Sequence, residues 1–180
     1  GGARYLFGRR YPQAVAALAA AISALGACVD YVFRIESAAR LSELELATLF
    51  GDLNAAVGAA AILFQLFITN RLLDRGGLFV FLAVIPTTLA VLGMAAGVTQ
   101  WFSLLILLKG VEMGGSYSIL QSGMQLLYNP VPVESRPAVR AFIDGLVKKG
   151  GMALAGVLLG LAGTLLPRAQ SAWLVLVPAL

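Results

Sequence analysis

Hydrophobic positions run almost unbroken along this chain, and polar ones come in short clusters between the runs. Apolar stretches cover 13–33, 50–70, 78–96, 101–128 and 139–166, and a last one, 171–180, is cut short by the end of the sequence. One bilayer crossing takes about 20 apolar residues. The pattern therefore predicts an all-α membrane protein, a bundle of six transmembrane helices forming a single domain over 1–180. The uncharged stretch 76–108 is too long for one helix and divides at Gly97-Val98-Thr99-Gln100. Helix breakers fall between the runs. Asn129-Pro130-Val131-Pro132 removes backbone donors and biases the preceding residues away from helix. Arg75-Gly76-Gly77 is a turn signal, and Pro167 stops the fifth span. Pro86 predicts a kink inside the third, where neighbouring helices can satisfy the freed carbonyl.

Composition agrees with that pattern and narrows the chemistry. The 180 residues are 59% hydrophobic and 12% charged, against about 25% charged in a soluble domain. There is no histidine, so the commonest switchable base and metal ligand is missing. The single cysteine, Cys28, has no internal partner and sits in an apolar run. Zinc, thiol and Ser-His-Asp mechanisms have almost no raw material. The expectation is no enzyme, no metal and no cofactor.

The net charge of +4 would suggest nucleic acid in a soluble protein. Here the cations cluster between apolar runs, which is the pattern of membrane topology and not of nucleic-acid binding. Arg4, Arg9 and Arg10 precede the first span, Arg71 and Arg75 follow the second, and Arg136, Arg140, Lys148 and Lys149 flank the fourth-to-fifth connection. With six crossings these lie on one side, opposite Glu36, Glu43, Glu45 and Asp52 with Arg34 and Arg40, and later only Arg168. The positive-inside rule makes that side, and the start of the chain, cytoplasmic. The connection Ile35–Glu45 is then external, and Arg71–Gly77 and Asn129–Arg140 are cytoplasmic. The chain has no initiator Met, no signal-peptide cleavage pattern and an apolar end; the expectation is a segment of a longer protein.

Charge inside the apolar runs carries the functional expectation. Lys109 and Glu112 lie between Trp101–Leu108 and Met113–Leu127, which are uncharged. Ionisable groups in lipid cost several kcal/mol, about 2.5 to 3.5 each on the lower scales, and mark pathways or pairs. At about 100° per residue Lys109, Glu112 and Ser116 share one narrow arc, and Lys109 and Glu112 can pair at i,i+3. They either neutralise each other and lock helices, or line a polar pathway. In the first helix Ser23, Gly26, Asp30 and Arg34 share a face, with Asp30 and Arg34 as an i,i+4 pair. Snorkelling explains Arg34 more readily than Asp30. In the second, Asn54, Gly58, Ala61, Gln65 and Thr69 form a stripe suited to a helix contact or a cavity wall. The fifth opens with Arg140, Asp144, Lys148 and Gly151 on one face and Lys149 on another. That is either a solvated helix end or a cation cluster at a cavity mouth that attracts an anionic solute such as a phosphate. Gly93 and Gly97, Gly110 and Gly114, and Gly156 and Gly160 have the GxxxG spacing that permits close helix approach.

Several motifs resemble a known family. Asp74-Arg75-Gly76-Gly77 resembles the cytoplasmic loop motif of major-facilitator transporters. Asp30-Tyr31-Val32-Phe33-Arg34 resembles a conserved segment of bacterial ATP/ADP-antiporter-like proteins. Leu49-Phe50-Gly51 with Phe64-Gln65-Leu66-Phe67-Ile68-Thr69 is similar to their next helix. Leu127-Tyr128-Asn129-Pro130, Arg140-Ala141-Phe142-Ile143-Asp144 and Lys149-Gly150-Gly151 resemble a later one. Arg140 and Lys149 exchange that family's Lys and Arg, and Pro137 and Val139 interrupt a run that is more basic there.

The resemblance spans Asp30 to about Gly156. It implies the C-terminal six-helix half of a twelve-helix secondary transporter in a bacterial inner membrane. Its partners would be the lipid bilayer, a missing N-terminal six-helix half and an anionic or nucleotide-like solute. Asp30, Arg34, Lys109, Glu112 and Ser116 are the expected pathway. Asp74, Arg75, Arg140, Asp144, Lys148 and Lys149 are the expected cytoplasmic gate or anion mouth, with Asp74 capping helix ends and Arg75 as an ionic partner. Some antiporter-like proteins carry attached regulatory domains, so the alternative is a non-transporting membrane anchor or sensor module.

Overall fold

The computed structural model describes residues 9–67 and 69–165, and these are helical apart from short connections. Helix α1 is Arg10–Arg40, α2 is Glu43–Phe67 and α3 is Thr69–Thr99. Helix α4 is Phe102–Leu127, with one π-helical turn at Ser116–Leu120. Helix α5 covers 136–165 and carries a second π turn at Ile143–Val147. The expected sixth span, 171–180, lies outside the described residues.

Four described helices are long and apolar enough to cross a membrane: α1, α2, the Val80–Thr99 part of α3, and α4. Their exposed surface makes the same point. Helix α2 buries only Val57, while Leu44, Ile62, Leu63, Leu66 and Phe67 are exposed. Exposed apolar area on this scale is a liability in water and ordinary in lipid.

Local chemistry moves several expected boundaries. α1 does not stop at Phe33. Two i,i+4 ion pairs, Asp30 with Arg34 and Glu36 with Arg40, carry it to Arg40. α2 starts at Glu43, a turn or two ahead of the apolar run, because Ser42 and Glu45 form a capping box. The Ser42 backbone N–H donates to Glu45 Oε2 at 2.8 Å, and the Glu45 N–H donates back to Ser42 Oγ at 3.4 Å. The external connection expected over Ile35–Glu45 therefore shrinks to Leu41 and Ser42. The third break falls at Gln100 and Trp101, where Gln100 has φ 54°, just past the expected Gly97–Gln100. α3 is interrupted at Gly77, with φ 67° and ψ 175°, where the Arg75-Gly76-Gly77 turn was expected. A glycine suits that backbone because an added Cβ is penalised at positive φ. Pro86 is accommodated inside the helix.

Helix directions follow from the contacts. Asp30 meets Lys109 and Tyr11 meets Leu127, so α1 and α4 are antiparallel. Gly151 packs on Ala20, and Ala155 and Leu159 share a core cluster with Cys28 and Val29, so α1 and α5 are parallel. Leu53 and Val57 meet Gly110 and Gly114, so α2 and α4 are parallel too. The order is up and down throughout. It puts Ser42 and Gln100 at one end of the bundle, and Arg10, Gly77 and Asn129–Ser135 at the other. Phe33, Phe81, Leu108 and Ile119 anchor the main core, and Val139 and Ile143 anchor a second cluster near the N-terminal end.

The stripe expected on α2 is split: Ala61 borders a groove against Gly110 and Gly114 of α4, its polar members Asn54 and Gln65 make no helix contact among the described residues, and the Thr69 side chain lies outside the described residues. Asn54 and Gln65 are exposed, and the Asn54 amide donates to its own Phe50 carbonyl at 2.7 Å. Leu53 and Val57 form the contact instead, against the Gly110 and Gly114 pair of α4.

Candidate functional site: a charged cleft between α1, α4 and α5

A cleft of about 760 Å³ runs between α1, α4 and α5. One end holds the charges that the sequence places in mid-helix. Lys109 Nζ lies 2.7 Å from Glu112 Oε2 and 3.0 Å from Asp30 Oδ1. Arg34 Nε lies 2.7 Å from Asp30 Oδ2. Ser116 Oγ donates to Glu112 Oε1 over 3.4 Å, a long and weak bond. The two i,i+3 and i,i+4 pairs expected from the sequence are thus one network, joined across the helices by Lys109 and Asp30. Lys109 is only 7% exposed. Gly26 admits Glu112 against α1, since a Cβ there would stand 3.1 Å from Oε1.

The other end of the same cleft holds Arg140, Asp144 and Lys148. Asp144 accepts from Lys148 at 2.7 Å and faces Arg140 Nε at 3.5 Å. Two cations share one carboxylate, so this end carries one surplus positive charge. Tyr128 borders it and is 3% exposed. Its hydroxyl has no hydrogen-bond partner among the described residues. Along α4 the ends, Glu112 and Tyr128, are about 24 Å apart at about 1.5 Å per residue.

Between them the wall is uncharged and mixed: Ser23, Ser116, Tyr117, Gln121 and Gln125 are interspersed with Ile22, Leu120, Met124, Met152 and Leu159. Projection of the sequence misses the far part of α4 for a physical reason. In an unbroken α-helix at about 100° per residue, Gln121, Met124 and Tyr128 lie about 180°, 120° and 160° from Glu112. The π turn holds one residue more than an α turn. It returns the three to about 80°, 20° and 60°. The π turn of α5 acts alike. It keeps Arg140, Asp144, Lys148, Met152, Gly156 and Leu159, all in the cleft wall, within an arc of about 80°.

Two expectations are corrected. Lys149 is exposed and does not line the cleft. Gly151 does not share the face of Arg140, Asp144 and Lys148, because the π turn rotates it onto α1, against the Ala20 backbone. The side chains of Asp74 and Arg75, the other expected gate residues, lie outside the described residues.

Among the described residues no group of acidic, cysteine or histidine side chains is arranged to hold a metal. No family model matches the chain, and no curated protein or solved structure matches it. Fold and composition define its class: an all-α bundle, four of whose described helices are long and apolar enough to lie across a membrane.

Proposed function

We propose that this chain is one half of a secondary active transporter of the major-facilitator type in a bacterial inner membrane, with its N-terminal end cytoplasmic. The sixth helix of such a half and the partner half of the same protein complete it, and the cleft between α1, α4 and α5 forms part of the solute pathway. In such transporters two halves face each other around a midplane site and rock between inward-open and outward-open states. The observation that carries the reading is Lys109. It is a buried cation in a helix whose only other charge is its partner Glu112, and it lies in a cleft that continues to Arg140 and Lys148. Intramembrane charge of this kind marks solute and ion paths. The surplus positive charge at the Arg140 end suits an anionic solute, nucleotides among them. A carrier of this kind needs no covalent chemistry.

One observation favours the second reading, a membrane anchor or sensor. Asp30, Arg34, Lys109 and Glu112 sum to zero charge, as a helix lock would. Uptake separates the two. The full-length protein is reconstituted in vesicles and offered labelled nucleotides, phosphate and organic anions, with empty vesicles as the blank. Saturable uptake of any of them is expected, and none above the blank leaves the anchor.

Topology provides a prediction that needs no solute. Three helices separate Ser42 from Ser135. In a Cys28→Ala background, cysteines at these two positions are expected to react with an impermeant reagent from opposite sides of the membrane. Reaction from the same side removes the up-and-down arrangement as a membrane topology, and the transporter with it.

A further inference from the structure

We infer that α5 has a second register, one residue out of step with the observed one, reached when its π turn relaxes to α-helix. The observation is the pair Gly150 and Gly151. Gly151 is required where it stands, since a Cβ there would come 2.6 Å from the Ala20 carbonyl oxygen and 3.1 Å from the Ala20 Cα. Gly150 has no such reason, since nothing lies within 4 Å of its missing Cβ. A glycine inside a helix weakens it by about 1 kcal/mol relative to alanine. Gly150 therefore lowers the stability of the observed helix and packs against none of the described residues.

The π turn supplies the reason. Ile143–Val147 holds one residue more than an α turn. Val139, upstream of it, and Ile143, its first residue, are fully buried and hold that part of the helix fixed. Relaxation of the turn would screw the downstream part by about 100° and 1.5 Å. Each place in the bundle is then filled by the preceding residue. Gly150 takes the place of Gly151 against Ala20, and glycine is the one residue that fits there. Val147 takes the place of Lys148, so the cleft loses a cation from its basic end. Ala155 takes the place of Gly156 and enters the cleft wall. Leu154 moves to where Ala155 stood, beside an apolar cavity of about 620 Å³ already lined by Leu154, Ala155 and Leu158.

α4 is built the same way. Its π turn is followed by Ser122 and Gly123, and Gly123 packs against Leu82 and Phe81 of α3. A one-residue shift puts Ser122 there, again a small residue. Leu120 and Leu127 then replace Gln121 and Tyr128 in the cleft. The shift would thus exchange polar members of a mixed cleft wall, Gln121, Tyr128 and Lys148, for apolar ones. As a gate for a solute this rests on the transport reading; as a register change it stands alone.

The test uses labelling, so it does not depend on a solute. The full-length protein in vesicles carries Cys28→Ala and Ala155→Cys. Ala155 is 5% exposed against α1, so a thiol there is shielded in the observed register and reaches the cleft in the second. It is expected to react with a water-soluble methanethiosulfonate. Adding Gly150→Ala should slow that reaction by about tenfold, the factor given by about 1.4 kcal/mol against one register, with thermal stability unchanged or raised. A cysteine at Val29, buried in the same core cluster but on α1, should not respond to Gly150→Ala. Equal rates at position 155 in the two backgrounds, including no reaction in either, overturn the inference. So does a parallel fall at Val29, which would mean general loosening of the bundle.

Discussion

Replacing Lys109 with glutamine is expected to lower the unfolding free energy by about 3 kcal/mol. The cation stands between two carboxylates, 2.7 Å from Glu112 and 3.0 Å from Asp30. Breaking a buried pair on one side leaves charge uncompensated, at about 3 to 5 kcal/mol. The lower end applies because the Asp30 side chain is 35% exposed and keeps Arg34. Among the described residues Glu112 has no second cation, only the long contact from Ser116. Lys109→Gln combined with Glu112→Gln should therefore recover most of the loss. Exchanging the two charges should not. A pair confined to α4 would be restored by the exchange, but here a new carboxylate at position 109 would face Asp30. Denaturant unfolding in a fixed detergent measures all three variants. A double glutamine variant as unstable as Lys109→Gln would mean that Asp30, not Glu112, holds the cost. If Lys109 also meets a solute, the double variant is folded, inserted and deficient in uptake.

How much of this site the sequence reveals depends on which physical rule applies at each residue. Lys109, Glu112 and Ser116 are legible because they precede the π turn, where regular helix periodicity holds. Gln121 and Tyr128 are hidden from the same projection because one extra residue turns them by about 100°. Nothing in Ser116–Leu120 announces a π turn, and the turn packs against both α2 and α3, which local sequence does not show. The pair of Lys109 with Asp30 is also hidden, since it joins helices separated by most of the chain. The start of α2 is different. Ser42 and Glu45 form a capping box that hydropathy alone does not register, since the apolar run begins only at Phe50. At the basic end the sequence places Arg140, Asp144 and Lys148 together, as the structure does. It misplaces Gly151, again by the one residue that a π turn adds.

That displacement makes two adjacent glycines respond in opposite directions to the same substitution. Gly151→Ala is expected to destabilise the protein by about 1 to 3 kcal/mol, the usual cost of overpacking a tight contact. The added Cβ meets the Ala20 carbonyl oxygen at 2.6 Å, and a backbone atom in mid-helix cannot rotate away. α1 and α5 must separate, along the face that buries Cys28, Val29, Ala155 and Leu159 together. Gly123 is a milder site, since its added Cβ first meets the far end of the Leu82 side chain, which has other rotamers available; Gly115 is not, since its Cβ would meet Ile85 Cγ1 at 2.9 Å and Cγ2 at 3.0 Å, and a β-branched side chain is stiff in a helix. Gly150→Ala has open space around it and should raise stability by up to about 1 kcal/mol through helix propensity alone. Thermal denaturation of the two alanine variants beside the parent, in one detergent, measures the difference. Equal melting temperatures for both would mean that α1 and α5 do not approach closely at Ala20. The parallel packing that brings the Arg140 end and the Lys109 end into one cleft would then have lost its closest contact. A low value for Gly151→Ala with a high one for Gly150→Ala fixes the rotational setting of α5 to a single residue, the precision needed to place Lys148 in the cleft and Lys149 outside it.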